Sequence, residues 1–317
     1  MAAVRYISRS APPMEPTANP GPPAGKGKAL PQLAIRLVVF IVVFLGAFRY
    51  VLGPLLAWLA SNFAGTNFAV LMSALFATWL ALRIYEDIPV FDVGLWLNRM
   101  SARNLGLGLL GGAGAACVAL APALAAGAAH IAFLHPPDAS GIVFTFFSMG
   151  AGSAGEELLF RGYGFQILMA SMGPWAAILP VGVVFGFLHG ANPSASPLGL
   201  INTAGFGILF GYAYLRSRDL WLPIGLHFGW NFAVPLFGAN LSGITIFKEI
   251  TGHEMVWRAG ALWSGGNYGP EASILTSAAL VPLFVYLWKA PVRRQFSPLT
   301  DPPGESAICE PSPPLRH

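Results

Sequence analysis

Apolar segments long enough to cross a lipid bilayer recur along most of the chain. They lie at about 34–59, 64–84, 104–130, 142–171, 174–191, 198–216, 220–238 and 271–290. A membrane-spanning helix needs about 20 mainly apolar residues, because each residue rises about 1.5 Å through a hydrocarbon core of about 30 Å. The pattern therefore predicts an all-α, polytopic transmembrane helix bundle of about eight helices.

The composition excludes an ordinary soluble domain. Only 10% of the 317 residues are charged and 55% are hydrophobic, whereas soluble domains carry about 25% charged residues. The net charge of +4 is scattered along the chain, so we expect no nucleic-acid partner. Two cysteines, Cys117 and Cys309, are too few for a cysteine zinc cluster.

Basic residues in the connections predict the orientation of the bundle. If eight helices alternate, most of the basic connection residues fall on one side of the membrane. They include Arg83, Arg99, Arg103, Arg216, Arg218, Lys289, Arg293 and Arg294. Connections rich in Lys and Arg face the cytoplasm, so both termini are predicted to be cytoplasmic.

Composition also divides the chain. The Pro-rich residues 1–32 and the segment 293–317 are predicted to be disordered tails. Residues 33–136 form the first three helices, with an amphipathic segment at 87–104 that we expect to lie along the membrane interface. Residues 137–292 contain the last five helices.

The fourth apolar segment contains three charges in the stretch GEELLFRGYG: Glu156, Glu157 and Arg161. Each such charge at a bilayer centre opposes insertion by about 2.5 to 3.5 kcal/mol. Glu157 and Arg161 are four residues apart, so one helix face can pair them. Glu156 lies about 100° around the helix, and we expect it to face another part of the bundle.

Later helices add polar residues at helical spacing. Phe185 and His189 lie four apart in FGFLHG, and His227 and Asn231 lie four apart in LHFGWN. Each could be an ordinary interhelical hydrogen-bonding residue, and for one membrane carboxylate that is as good an explanation as function. Together with Glu156, however, they provide imidazole, amide and carboxylate groups that can hold a divalent metal or steer a water.

These motifs, in this order, resemble those of the CAAX-protease and bacteriocin-processing family, also called the type II CAAX prenyl endopeptidase or abortive-infection family. Its signature is EExxxR, FxxxH and HxxxN or HxxxD. The matching residues are Glu156, Glu157 and Arg161, then Phe185 and His189, then His227 and Asn231. The resemblance covers roughly 140–290 and implies an eight-helix intramembrane endopeptidase that depends on a metal or on glutamate.

The resemblance also implies roles for these residues. Glu156 would act as a general base on a water held near His189, and His227 with Asn231 would bind a metal or stabilise the oxyanion. The implied catalytic set is Glu156, Glu157, Arg161, His189, His227 and Asn231, in which Glu157 and Arg161 shape the site. The implied metal ligands are Glu156, His189, His227 and Asn231, a set that would suit zinc.

The expected substrate is a peptide or membrane-protein segment, prenylated or not, in contact with the lipid bilayer. The expected location is the bacterial inner (plasma) membrane. The oligomeric state is not predicted.

Three alternatives stay open. The first is a non-catalytic membrane scaffold or immunity protein of the same fold. The second is a serine protease in which Ser153 of GAGSAG pairs with a later histidine, and the third is a transporter with a proton relay.

Depth raises a separate question. His227 lies only about 10 Å from the inner end of its helix, against about 22 to 24 Å for Glu156 and His189. Either the seventh helix begins deeper in the membrane, or the fourth segment breaks at Gly162 and Gly164.

Overall fold

The computed structural model describes residues 26–59, 62–245 and 247–301. The structure is mostly helical, at 76%. The helices are α1 (Lys26–Gly46), α2 (Gly53–Leu59), α3 (Asn62–Tyr85), α4 (Arg99–Ala125), α5 (Ala139–Arg161), α6 (Tyr163–Met172), α7 (Pro174–Leu188), α8 (Pro197–Ser217), α9 (Trp221–Leu236), α10 (Phe247–Thr251), α11 (Ala261–Ser264) and α12 (Ile274–Lys289).

All eight predicted apolar segments are helical. The first combines α1, a π-helix at Ala47–Leu52 and α2, and the fourth is divided into α5 and α6. Within the described ranges, five helical stretches are long and apolar enough to cross a membrane: 30–59, 62–85, 99–125, 174–191 and 197–217. The predicted all-α membrane bundle is confirmed.

The third helix begins and ends about five residues earlier than predicted and is followed by a strand. It ends at Ala125, and β1 (Ala129–Phe133) pairs antiparallel with β2 (His253–Trp257), from Ala129 opposite Trp257 to Phe133 opposite His253. Gly127 has φ +68°, a left-handed conformation that ends a helix. The sequence did not predict this two-stranded ribbon, which lies in the connections.

The predicted interfacial segment at 87–104 is also different. It contains a short 3₁₀ turn at Val90–Val93, and α4 begins within it. The side chain of Asn98 accepts a hydrogen bond from the backbone N–H of Ser101, 2.9 Å away. This cap starts α4 at Arg99, so the last part of the segment, 99–104, belongs to that helix and only 87–98 precede it.

Both predicted tails are shorter than expected. Residues 26–32 belong to α1, and residues 1–25 lie outside the described chain. Residues 293–301 dock on the ends of α4 and α8: Asn104 exchanges two hydrogen bonds with the backbone of Arg293, and the N–H of Gln295 donates to the Ser217 carbonyl. These polar partners order a segment whose composition suggested disorder. Residues 302–317 are not described.

Glycines allow the central helices to touch backbone to backbone. A Cβ at Gly108 or Gly112 of α4 would collide with the carbonyl oxygens of Leu222 and Leu226 on α9. In α7 and α8, a Cβ at Gly207 would lie 2.8 Å from the Gly182 carbonyl oxygen. Small residues permit such close approach. They bring α4 against α9 and α7 against α8, and the motif residues lie on helices packed within this group.

Candidate active site

The fourth apolar segment breaks one residue after the motif. Helix α5 ends at Arg161, the N–H of Gly162 donates to the Leu158 carbonyl, and α6 begins at Tyr163. Gly162 has ψ −140°, and a Cβ there would collide with the Leu158 carbonyl oxygen. Of the two alternatives for the depth mismatch, the break is therefore present. Glu156 then lies about 8 Å from the end of α5, and His227 about 9 Å from the start of α9.

Glu157 and Arg161 form the predicted ion pair. Arg161 Nη1 lies 3.1 Å from Glu157 Oε1, and both side chains are fully buried. Arg161 Nη2 also donates to the carbonyl of Gly207 on α8 at 2.6 Å. The guanidinium carbon lies 4.9 Å from the ring centre of Phe185 and 5.4 Å from that of Phe210. These contacts hold α5 to α7 and α8 at the motif.

Glu157 also orients His227. His227 Nδ1 lies 2.9 Å from Glu157 Oε1. A carboxylate oxygen only accepts, so Nδ1 donates to it, and in the neutral imidazole Nε2 then carries the lone pair. A carboxylate behind a histidine in this way is typical of histidines that bind a metal or act in catalysis.

Glu156 has the opposite environment from its neighbour. Its side chain is 33% exposed, and its Oε2 lies 3.9 Å from His227 Nε2. This distance is too long for a hydrogen bond, and within the described part of the chain Oε2 has no hydrogen-bond partner. Glu156 is thus the partly exposed side chain of the two, while its Oε2 is buried close to Nε2 of His227.

His189 lies immediately after the last residue of α7. Its Nδ1 donates to the Phe185 carbonyl at 2.8 Å, which again leaves Nε2 free. The Phe185 ring packs against both histidines, with ring centres 4.7 Å from His189 and 5.9 Å from His227. Phe185 therefore connects His189 to His227 through ring contacts.

Asn231 lies one turn beyond His227 on α9. Its Nδ2 is 3.5 Å from the hydroxyl oxygen of Ser153 on α5. The alternative nucleophile Ser153 is thus paired with an amide and not with a histidine.

The proposed metal ligands are only partly assembled. Across residues 26–59, 62–245 and 247–301, no three His, Cys, Asp or Glu side chains form a group that could hold a metal. Glu156 and His227 face each other, while His189 and Asn231 have other contacts. The residues do not fit a four-ligand zinc site in this conformation, and zinc stays a prediction.

Sequence reasoning missed Phe210. Its ring stacks on the His227 ring, with centres 5.0 Å apart and planes at 21°. The only signal was the four-residue spacing of Phe206 and Phe210 in FGILF, a spacing common in any packed helix.

A second buried carboxylate, Glu271, was also missed. Its Oε1 accepts from Trp230 Nε1 at 3.3 Å, and its Oε2 accepts from the backbone N–H and hydroxyl of Ser242 at 2.6 and 2.7 Å. Both oxygens of Glu271 have partners, so this carboxylate joins the loop at Ser242 to Trp230 of α9. Burial, together with the nearby charge of Glu271, raises the pKa of Tyr268 to about 12.

Comparison with known proteins supports one family. Residues 137–233 match the model of the type II CAAX prenyl endopeptidase, Rce1-like family. The match contains every motif position but ends within α9, short of the expected 290. No curated protein and no solved structure matches the chain. The family supports a protease, and the apolar helices support an integral membrane protein. The predicted resemblance is therefore confirmed over residues 137–233, and this match supports the CAAX protease family.

Proposed function

We propose that the protein is an intramembrane endopeptidase that hydrolyses a peptide bond with a water activated by Glu156. One observation carries the proposal: the buried Oε2 of Glu156, which has no hydrogen-bond partner among the described residues, lies 3.9 Å from Nε2 of His227. With His227 neutral and protonated at Nδ1, both atoms are hydrogen-bond acceptors, so their approach calls for a donor beside them. A water can donate one hydrogen to each.

In this mechanism Glu156 acts as the general base. It takes a proton from the water as the water oxygen attacks the carbonyl carbon of the scissile peptide. It then gives that proton to the leaving amine as the carbon–nitrogen bond breaks. In this proposal His227, held by Glu157, fixes the water, and the amide of Asn231 donates to the developing oxyanion.

Arg161 pairs with the buried Glu157, so the carboxylate that holds His227 stays fixed. Phe185 separates His189 from His227 and limits the volume of the site. The Nδ1 of His189 is bonded to the Phe185 carbonyl. Its Nε2 is therefore the nitrogen that would bind the substrate or the water.

A divalent metal, with zinc as the first candidate, is part of the proposal. Glu156, His189, His227 and Asn231 are the side chains that would hold it, and it would supply a Lewis acid for the substrate carbonyl. Metal content of the purified protein tests this directly. About one zinc per chain and loss of cleavage with a chelator support the metal, and full cleavage after complete metal removal contradicts it.

The proposed substrate is a membrane-associated peptide or protein tail, prenylated or not. The proposed location is the bacterial inner (plasma) membrane, with both termini in the cytoplasm. A site formed by membrane helices suits a substrate that reaches it from the bilayer.

The first test is cleavage by the Glu156→Gln and His189→Ala variants in proteoliposomes. The readout is hydrolysis of matched prenylated and unprenylated peptides. We expect each variant to lose cleavage by about 10²-fold or more, the usual size of a general-base effect. The control is Glu254→Gln, which changes a partly exposed glutamate in β2 paired with Lys248.

Membrane insertion and abundance are checked for each variant. Cleavage that survives both substitutions would show that the hydrolase proposal is wrong. A non-catalytic scaffold is the second candidate, because the described His and Glu residues form no group that could hold a metal. That function predicts that the wild-type protein cleaves nothing, while a partner protein loses activity with the same variants.

A further inference from the structure

We propose that Phe210 on α8 is a positioning residue that fixes the ring of His227 for the reaction. This inference rests on the proposed function. Phe210 is 2% exposed, and its ring lies almost parallel to the His227 imidazole, with centres 5.0 Å apart and planes at 21°. It belongs to none of the three motifs.

A single hydrogen bond does not fix an imidazole ring. The bond from His227 Nδ1 to Glu157 Oε1 fixes the position of one ring atom. The rest of the ring can still tilt about that atom. Tilting would move Nε2 away from Glu156, because Nε2 lies on the far side of the ring. The face of Phe210 blocks this tilt on one side, and the ring of Phe185, at 84° to the imidazole and 5.9 Å from it, contacts the other part of the ring.

Phe210 also contacts the group that holds Glu157. The Arg161 guanidinium carbon lies 5.4 Å from the Phe210 ring centre and 4.9 Å from that of Phe185. A buried cation next to an aromatic face is stabilised by the ring quadrupole. Arg161 Nε has no hydrogen-bond partner within the described segments, so these rings are a main part of its surroundings. Phe210 thus supports both His227 and the ion pair behind it.

The neighbouring Phe206 provides a matched control. It lies one turn earlier on α8, is 5% exposed, and packs on Trp230 with ring centres 4.7 Å apart. It contacts Phe210 at 5.9 Å, and none of its ring contacts is to His227. Leucine at position 206 therefore removes a similar amount of buried aromatic surface without touching the imidazole.

The test compares Phe210→Leu with Phe206→Leu in the full chain. The protein is labelled with ¹⁵N-histidine, placed in lipid nanodiscs and studied by NMR, and the His227 signals are identified by their loss in His227→Ala. We expect wild type and Phe206→Leu to show one His227 species protonated at Nδ1. We expect Phe210→Leu to show a shifted or mixed population, and Phe210→Tyr, which keeps the ring face, to restore the wild-type signals.

Cleavage supplies the second readout. For Phe210→Leu we expect kcat to fall roughly ten- to hundredfold with little change in KM, since misplacing a catalytic group by about 1 Å can cost that much. Equal effects of the two leucine variants on the signals of His227, or no effect of either, would overturn the proposal. The NMR comparison does not need cleavage, so a wild-type protein that cleaves nothing would contradict the hydrolase function separately from the positioning of the ring.

Discussion

Two adjacent glutamates of one helix have different surroundings, and this difference is the main chemical feature of the site. Glu157 is fully buried between Arg161 and His227, whereas Glu156 is 33% exposed with an unpaired oxygen. Neighbouring helix positions differ by about 100°, so one helix can present one carboxylate to its partners and the other to a substrate.

At this scale, Arg161→Met is predicted to destabilise the fold strongly. It leaves the Glu157 carboxylate buried without its cation, and breaking a buried pair in this way costs about 3–5 kcal/mol. The measurement is thermal or chemical unfolding in detergent micelles. The double variant Glu157→Gln with Arg161→Met removes the stranded charge, and we expect it to recover part of the stability.

The matched control for this change is Arg83→Met. Arg83 pairs with Asp87, also four residues apart, but the two side chains are 67% and 81% exposed. Exposed pairs contribute little, so the variant is expected to unfold like the wild type. Similar losses for Arg83→Met and Arg161→Met would contradict the role given to burial.

At the scale of elements, α9 depends on α4 for its position. Helix α9 carries His227 and Asn231, and it lies so close to α4 that a Cβ at Gly112 would collide with the Leu226 carbonyl oxygen. Leu226 immediately precedes His227. A change of spacing between these helices therefore moves the imidazole directly.

Gly112→Ala is predicted to lower both stability and cleavage. The added methyl group must separate α4 from α9, and such overpacking costs about 1–3 kcal/mol. Gly114→Ala is the control on the same helix, because a Cβ there has no atom within 4 Å, and alanine favours a helix over glycine. Unfolding and cleavage of both variants are measured side by side. An unaffected Gly112→Ala protein would show that this contact does not set the position of α9.

The same elements show what the sequence can predict. Apolar length is a local property, so all eight helical segments were found, and the four-residue spacing of Glu157 and Arg161 was enough to predict their pair. Phe210 could not be found in this way, because its role comes from the contact of α8 with α9 and not from any spacing within α8. The break at Gly162 was one of two alternatives, and only the packing of the helices distinguishes them.

At the scale of the whole molecule, the C-terminal segment 291–301 joins the ends of several helices. Its Gln295 donates to Asp219 Oδ2 at 2.7 Å, and Asn104 of α4 donates to the same oxygen at 2.8 Å. Asp219 in turn accepts from the N–H of Leu222 in the first turn of α9, at 3.2 Å. The last described residues thus secure the start of the helix that carries His227.

Ending the chain after Ala290 is therefore predicted to destabilise the protein, whereas ending it after Asp301 leaves these contacts intact.

The size of this effect should depend on pH. Burial raises the pKa of the Asp219 carboxyl. The contribution of this carboxyl to stability is therefore fully present below its unfolded-state pKa, and it is lost as the pH rises through its folded-state pKa. Gln295 reduces this loss because its side-chain N–H donates to the ionised carboxylate of Asp219. In the protein that ends at Ala290 this donor is missing, which costs about 1–3 kcal/mol when Asp219 is ionised. The difference in unfolding free energy between the two truncated proteins should be larger at pH 7 than at pH 4. A difference that does not change with pH would show that Asp219 is not the group through which the segment acts.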